Sequence, residues 1–354
     1  MQKRTFLTAA CAALVPLCGS AVFAQTSAAT PAASAAKPVK PASPRKSVVK
    51  PPSKIVFGLI TPRNAEQTQK SWAPFLERMS KVMGVPVEGK TYAQQGDLVN
   101  DFKRGAIDFA WVGNVPAIEL VEARVGAVFG QLVVKGQFAY RSLLITHTSS
   151  PIRSLDDILR SKGQYIFGDG DPKSTSGHIV PRYFAFAKKG VNDVDALFKE
   201  IKRGSHIDNL NRVVKKEVDF ATNNTTELDL FKAANPDVAK DIRVVWESPD
   251  IPESPLVWRL ALPLEFRKKV QDFIVGYGKD DEEKAILKEM NNLTSFRKSG
   301  NSQLLNVADI EGFNARQRLI NDASLDAASR ALKVDEVLKR SSKLEYLLKQ
   351  RTVL

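Results

Sequence analysis

Cysteine is nearly absent from this 354-residue chain, which contains only Cys11 and Cys18. Both fall in an apolar stretch, residues 6–23, that follows a short basic head and ends in "AVFAQ". This pattern is typical of a secretory signal peptide, which we place at residues 1–24, so the mature chain would contain no disulfide bond. Acylation at Cys18 is disfavoured because the large residue Leu17 precedes it. We therefore expect a soluble exported protein.

Acidic residues are absent from residues 1–54, which contain eight of the 52 Lys and Arg residues. Residues 25–53 are rich in Ala, Pro, Ser and Lys. Such a composition cannot bury enough apolar surface to fold, so we predict a disordered linker there. Most of the net charge of +13 therefore belongs to the leader and the linker. The other charges are interspersed, and this pattern together with export argues against a nucleic-acid partner.

Long apolar runs are absent after the leader, so no segment of the mature chain is predicted to span a membrane. Three histidines and scattered carboxylates, without cysteine, do not suggest a metal site, and we expect no cofactor. The part that remains after residue 54 has about 300 residues, enough for two α/β units with sizeable cores.

Strand and helix patterns alternate along this part of the chain, which is typical of an α/β fold. The run "KIVFGLI" (54–60) predicts a buried strand, and apolar residues at helical spacing predict a helix over 71–84. Segments 100–110 and 211–221 each resemble a helix that leads into a strand, and both end in "DFA". We expect loop residues directly after each, "WVGN" and "TNNT". This weak repeat fits a two-lobed protein, but two unrelated helix-strand units would explain it equally well.

Two further strands are predicted at 140–147 and 241–247. Ser and Pro follow each of them, which suits extended segments that carry the chain between lobes. From about residue 263 the pattern becomes helical, and residues 326–350 predict one or two surface helices. The sequence does not decide whether these C-terminal helices form a homodimer.

The segment "GDGDPKSTSGHIVP" (168–181) follows an apolar strand and precedes an aromatic helix. The first N–H groups of a helix lack partners and carry partial positive charge, so this turn suits a tetrahedral anion. Ser174, Thr175 and Ser176 add hydroxyl donors. A helix cap would use one hydroxyl and not three. A Walker phosphate loop requires a Gly before Lys173, and a serine-hydrolase elbow requires G-x-S-x-G; both are absent.

Four segments together resemble the phosphate, phosphite and phosphonate periplasmic binding family of ABC transporters: "GDGDPKSTSGHIVPRYFAFAKK", "GSHIDNLNRVVKKEVDFATNNT", "VVWESPDIPESPLVWR" and "GAIDFAWVGN". The resemblance extends over residues 54–300. It implies an α/β, two-lobed periplasmic binding fold of type II, in which each lobe is a mixed sheet flanked by helices. Lobe 1 would comprise 54–143 and 256–300, lobe 2 would comprise 144–255, and C-terminal helices would occupy 301–354.

The resemblance also implies a set of ligand-binding residues, namely Ser174, Thr175, Ser176, Tyr92, Tyr140 and His206. The hydroxyl run would hold the phosphonate oxygens from one lobe, in agreement with the anion-binding turn. The tyrosines would donate from the other lobe or the crossing region, and the histidine would donate as well. Plain core packing is the alternative for Tyr140. For His206 the alternative is a place at a helix start that Ser205 and Asp208 cap.

The position of the ligand's substituent differs from the family pattern. Members that bind an aminoalkylphosphonate hold its amine with two carboxylates, and this chain has Thr226 and Ser254 at the matching positions. Glu227 and Glu253 lie one place away, where we expect the side chains to point elsewhere. Burying an unpaired ammonium is costly, so we predict a small neutral substituent, or phosphite or phosphate as ligand. His178 is expected to pack, with a ligand contact as the alternative.

The resemblance implies a periplasmic receptor that captures a phosphonate or related oxyanion between two lobes and delivers it to a membrane permease without catalysis. A phosphite or phosphate receptor, or a sensor of the same fold, is the alternative. A serine phosphonate-ester hydrolase, with Ser174 as nucleophile and His206 as base, is disfavoured because no third orienting group is visible.

Overall fold

The computed structural model describes residues 51–61 and 65–350. The predicted signal peptide at 1–24 and most of the predicted linker at 25–53 lie outside the described residues, as do residues 351–354.

Within these ranges the chain alternates between strands and helices. The strands are β1 (Ile55–Ile60), β2 (Val87–Tyr92), β3 (Phe109–Trp111), β4 (Gly126–Val134), β5 (Ala139–Tyr140), β6 (Ser142–His147), β7 (Ile166–Asp169), β8 (Glu200–Arg203), β9 (Phe220–Asn224), β10 (Ile242–Glu247), β11 (Ile251–Pro252), β12 (Pro255–Arg259) and β13 (Leu293–Lys298). The α-helices are α1 (Ala65–Met83), α2 (Gln95–Lys103), α3 (Asn114–Glu122), α4 (Leu155–Arg160), α5 (His206–Val214), α6 (Thr225–Ala234), α7 (Leu264–Gly276), α8 (Asp281–Glu289), α9 (Leu305–Asn321) and α10 (Ala327–Lys349). Two π-helical segments, Thr175–Ile179 and Arg182–Phe186, follow β7.

We call the first sheet and its helices lobe 1. Its described strands have the order β13-β4-β12-β3-β1-β2, with β1 parallel to β2 and β3, and with β12 and β13 antiparallel to β4. The strand predicted at 54–60 is confirmed as β1, whose side chains enter hydrophobic clusters on both faces. Helix α1 begins at Ala65, six residues before the predicted start, and packs Trp72 against Phe57 at 5.6 Å between ring centroids.

We call the second sheet and its helices lobe 2. Its described strands have the order β10-β6-β9-β7-β8, with β7 parallel to β8 and β9, and with β6 antiparallel to its neighbours. Phe167 stacks on Phe220 with their ring centroids 4.8 Å apart, in a core that is aromatic on this face. Both lobes are therefore mixed sheets flanked by helices.

Two short strands lie where the chain passes between the lobes. β5 pairs with β11, with Tyr140 opposite Ile251. The segments predicted to cross, 140–147 and 241–247, instead form β6 and β10 inside the lobe 2 sheet, apart from Tyr140. They join that sheet because each segment is long enough to pair with the other as a strand. The pairing buries the apolar side chains on one face.

Two expectations about secondary structure were wrong. Residues 222–224 of "TNNT" continue strand β9 and are buried, because β9 is flanked on both sides by β6 and β7. The region after residue 263, predicted to be helical, contains strand β13, which pairs with β4 and buries Leu293 and Phe296. Helices α7 and α8 precede it.

The C-terminal helices contact both lobes. α9 packs against α3 of lobe 1 and against the π-helical segment Thr175–Ile179 of lobe 2, where Asn314 donates to the carbonyl of Ile179 at 2.9 Å. Residues 327–349 form a single helix, α10, and its Arg340 binds both carboxylate oxygens of Glu122. Among the described helices, none has an apolar stretch long enough to cross a membrane.

Candidate ligand-binding site

A cavity of about 640 Å³ lies between the two sheets. Parallel strands from both lobes end at it: Tyr92 and Trp111 lie at the ends of β2 and β3, and Arg203 and Asn224 lie at the ends of β8 and β9. In α/β sheets, ligands bind in the crevice outside the carboxyl ends of the strands. The topology therefore makes this cavity the candidate site.

The hydroxyl run opens the helical stretch after β7. Ser174 is the N-cap residue, and its Oγ accepts from the N–H of Gly177 at 3.0 Å. The helix starts earlier than expected, at Thr175. A Cβ on Gly170 would lie 2.6 Å from the backbone of Gly177, so the turn can fold this tightly only with glycine there. One hydroxyl thus serves as a cap, and two remain.

Thr175 is buried, and its Oγ1 has no hydrogen-bond partner among the described residues. The residue lines the cavity at the first position of the helical stretch, where backbone N–H groups lack intrahelical partners. An unpaired buried hydroxyl is costly unless a ligand completes it.

Ser176 gathers three other polar side chains. Its Oγ lies 3.1 Å from Nε2 of His206 and 3.4 Å from Nδ2 of Asn224, and Tyr140 lies near it on the same cavity wall. The structure therefore brings Ser176, Tyr140 and His206 together at the cavity, together with Asn224, which the sequence analysis did not select.

His206 is the first residue of α5, and burial lowers its pKa to about 4. The imidazole is therefore neutral at pH 7 and can donate through one ring nitrogen. The helix cap that was its alternative also exists, since Ser205 and Asp208 form a complete capping box. The cap positions the residue, and its side chain lines the cavity.

The two tyrosines differ in what their hydroxyl groups contact. Burial, and then the nearby carboxyl of Glu253, raise the pKa of Tyr140, so its phenol stays protonated. Tyr92 also lines the cavity, but its hydroxyl donates to Oδ2 of Asp101 at 2.6 Å. Burial and this bond raise the pKa of Tyr92 to about 12. Its single proton is thus directed away from the polar groups of lobe 2.

The substituent residues lie together, and one premise about them was wrong. Glu227 and Glu253 both line the cavity beside Thr226 and Ser254, although we expected the two carboxylates to point elsewhere. Glu227 lies in the first turn of α6 and does not continue the strand, so the alternation of a strand does not apply to it. Thr226 donates to Oε1 of Glu253 at 3.4 Å. Burial, with a smaller contribution from Glu227, raises the pKa of Glu253 to about 7.

His178 does not line the cavity, so the alternative that it contacts the ligand was wrong. Its Nδ1 lies 2.9 Å from Oδ2 of buried Asp169, which also binds Arg182 at 2.8 Å. Burial lowers the pKa of His178. The residue lies one turn into the helical stretch and holds it to the end of β7, which turns its ring away from the cavity.

Comparisons with known proteins agree with this geometry. The family model described as "ABC transporter, phosphonate, periplasmic substrate-binding protein" matches residues 57–304. The chain belongs to this family. The phosphonates-binding periplasmic protein of Escherichia coli K12 is 36% identical over 292 residues, which is 82% of this chain and 86% of that protein.

Solved structures agree with the phosphonate-binding family. A binding component of an ABC phosphonate transporter from Pseudomonas aeruginosa has a TM-score of 0.76 and 36% identity, covering 84% of this chain and 98% of that one. A Prochlorococcus marinus protein in complex with methylphosphonate has a TM-score of 0.66 and 21% identity, over 74% and 98% of the two chains. The predicted two-lobed α/β fold is confirmed.

In this member of the phosphonate-binding family, the structure does not pair Ser174 with His206, as the hydrolase alternative requires. The hydroxyl of Ser174 caps the helix, whereas His206 contacts Ser176. No group of three His, Asp or Glu side chains converges as a metal site in the described part of the chain. The relatives are substrate-binding transport proteins.

Among the cavity-lining residues that the sequence analysis did not select are Gln95, Trp111, Arg203 and Asn224. Three of them end parallel strands, so the carboxyl-end rule would have found them once the strand order was known. Gln95, at the start of α2, had no signal in the sequence because its polar character is common at helix starts.

Proposed function

We propose that this chain is a periplasmic receptor that captures a phosphonate in the cavity between its lobes and delivers it to an ABC permease. The predicted signal peptide would bring it to the periplasm, where its relatives act. The ligand favours the closed form because that form alone offers contacts from both lobes.

The main observation that supports this proposal is the unpaired hydroxyl of Thr175. It lies at a helix start, beside the backbone N–H groups of that start and close to Ser176, Tyr140 and His206. Donors without formal charge suit an oxyanion, since dipoles aimed at one point stabilise its charge. Arg203 at the cavity wall, 53% exposed, supplies the positive charge that would attract the anion.

The carboxyl groups of Glu227 and Glu253 favour a ligand whose substituent carries a hydrogen-bond donor, such as an ammonium or a hydroxyl group. A methyl group would offer no hydrogen-bond donor to the carboxyl of Glu253. From the sequence we expected a small neutral substituent, or phosphite or phosphate, on the assumption that these side chains point elsewhere; with the side chains at the cavity, an ammonium group is favoured as well as a neutral hydroxyl.

The test is calorimetric titration of 2-aminoethylphosphonate, methylphosphonate, phosphite and phosphate into the wild-type protein and two variants. Thr175→Val removes the hydroxyl and keeps the branched shape, and we expect it to weaken phosphonate binding by roughly 1–3 kcal/mol. Thr175→Ser keeps the hydroxyl and should bind within about threefold of wild type. Equal binding by wild type and Thr175→Val would contradict the proposal, as would tighter binding of phosphate than of any phosphonate.

A further inference from the structure

Closure by a ligand requires contacts from lobe 1 as well as from lobe 2. Lobe 2 and the crossing segment supply Thr175, Ser176, Tyr140 and His206. The obvious lobe 1 donor, Tyr92, has its hydroxyl bonded to Asp101. Other polar groups of lobe 1 must therefore meet the ligand.

Two residues of lobe 1 that line the cavity each have a buried polar atom without a partner among the described residues: Nε1 of Trp111 and Oε1 of Gln95. With Oγ1 of Thr175, they are the unpartnered buried side-chain atoms that belong to cavity-lining residues of the described chain. The indoles of Trp72 and Trp258 also lack partners, but neither residue lines the cavity. Residues with an unpaired buried polar atom therefore line the cavity on both lobes.

The local structure holds both atoms in place. Trp111 is 5% exposed, and its ring stacks on Trp72 with centroids 5.3 Å apart and planes 16° apart, so the indole cannot turn toward water. Oε1 of Gln95 lies where a Cβ on Gly113 would be 2.6 Å away, so it rests against the residue two places after Trp111. Gly113 is the N-cap residue of α3, without a side-chain cap.

The chemistry of the pair selects a ligand group. An indole N–H only donates, and a carboxamide oxygen only accepts. A hydroxyl is the smallest group that accepts from the first and donates to the second. A fully ionised phosphonate has no donor for Gln95, and its oxygens have donors in lobe 2.

We propose that Trp111 and Gln95 form a subsite on lobe 1 that binds a hydroxyl group on the ligand's substituent, so that this receptor selects hydroxyalkylphosphonates. The proposal rests on the proposed function, in which the phosphonate group itself is held by the helix start at Thr175. It adds a second polar contact whose residues come from the opposite lobe.

The experiment compares 2-hydroxyethylphosphonate with ethylphosphonate, which differ by this hydroxyl alone, in calorimetric titrations of the full chain. Wild type should prefer the hydroxy compound by roughly tenfold or more, the discrimination expected when an absent hydroxyl leaves buried polar groups unpaired. Trp111→Phe and Gln95→Leu should each reduce this ratio to within about twofold of one, with little change in the affinity for ethylphosphonate.

Trp258→Phe is the matched control, because it removes another unpartnered indole from the same lobe but outside the cavity. It should keep the wild-type ratio. The proposal is overturned if wild type does not discriminate, if Trp111→Phe keeps the ratio, or if Trp111→Phe weakens both ligands equally. Gln95→Leu decides the matter if Trp111→Phe does not fold. Failure of wild type to bind either phosphonate would instead refute the proposed function.

Discussion

Glu253 is a buried acid in a cavity proposed to bind an anion, and its protonation state sets the charge of the substituent end. Burial raises its pKa to about 7, and its neighbour Thr226 donates to it. No cation in the described chain pairs with it within ion-pair distance. The group is therefore about half ionised at neutral pH, and a cationic substituent would favour the ionised form.

Binding of 2-aminoethylphosphonate should consequently tighten between pH 6 and pH 8. The ionised fraction of Glu253 rises across this interval, so we expect roughly a tenfold gain in affinity from this group. Methylphosphonate shares the ionisation of the phosphonate group and serves as the reference ligand. Glu253→Gln should remove the excess pH dependence of the amino compound over the reference. An unchanged excess in this variant would show that another group titrates.

The same carboxyl group should lower the stability of the ligand-free protein at high pH. Its pKa in the folded chain is raised above its ordinary value of 4.5, so the folded state binds the proton more tightly than the unfolded state. Stability therefore falls as the pH rises from 4.5 to 7, and the full penalty is present above pH 7. Glu253→Gln should raise the free energy of unfolding at pH 8 by roughly 1–3 kcal/mol and leave it little changed at pH 4. Urea denaturation at the two pH values measures this, and an equal gain at both would contradict it.

At the scale of elements, helix α9 supports the proposed anion-binding helical stretch. Asn314, 7% exposed, donates to the carbonyl of Ile179, and Phe313 packs edge-on against Tyr183 with centroids 4.9 Å apart. The same helix packs against α3 of lobe 1. The helical stretch that begins at Thr175 is therefore fixed from outside its own lobe.

Removing this contact should destabilise the protein. Asn314→Leu leaves a buried carbonyl without its donor, so we expect the free energy of unfolding to fall by roughly 1–3 kcal/mol in urea denaturation. Gln317→Leu, a half-buried position on the same helix, should change it by about 0.5 kcal/mol or less. Similar losses in both variants would mean that the helix tolerates no leucine on this side, and that the bond to Ile179 has no particular importance.

At the scale of the molecule, two ion pairs between described residues join the lobes. Lys173, next to the hydroxyl run, lies 2.7 Å from Oε1 of Glu119 in α3. Lys135, after β4, lies 2.7 Å from Oδ2 of Asp229 in α6. Each pair is broken if the lobes separate, so both favour the closed arrangement in which the ligand meets its contacts.

Glu119→Gln with Asp229→Asn should weaken phosphonate binding by roughly two- to tenfold, because exposed ion pairs contribute little each. The sign of the change in affinity is informative. If only Coulomb forces acted, removing two negative charges near an anion would reduce repulsion and strengthen binding. Asp237→Asn is the control, since its pair with Lys240 lies within lobe 2. Titration calorimetry at low and high salt measures the effect. Tighter binding by the double variant would show that these pairs do not couple closure to binding.

Much of the architecture was predictable because it depends on local patterns. Strand β1 and the amphipathic part of α1 follow from the spacing of apolar residues. The cap at Ser174 follows from the preference of hydroxyl residues for helix starts. Strand β13 was missed because six residues at a sheet edge carry little pattern of their own, and their pairing with β4 is decided by residues about 160 positions away.

The sequence by itself determined that the chain is an α/β protein with an anion-suited helix start, because capping, periodicity and turn chemistry act between neighbouring residues. Only the tertiary structure decided which side chains reach the cavity: that Glu253 lies there, that His178 does not, and that the hydroxyl of Tyr92 is taken by Asp101. The physical reason is that burial, hydrogen-bond partners and pKa depend on contacts between residues distant in the chain, which exist only after the two sheets have packed.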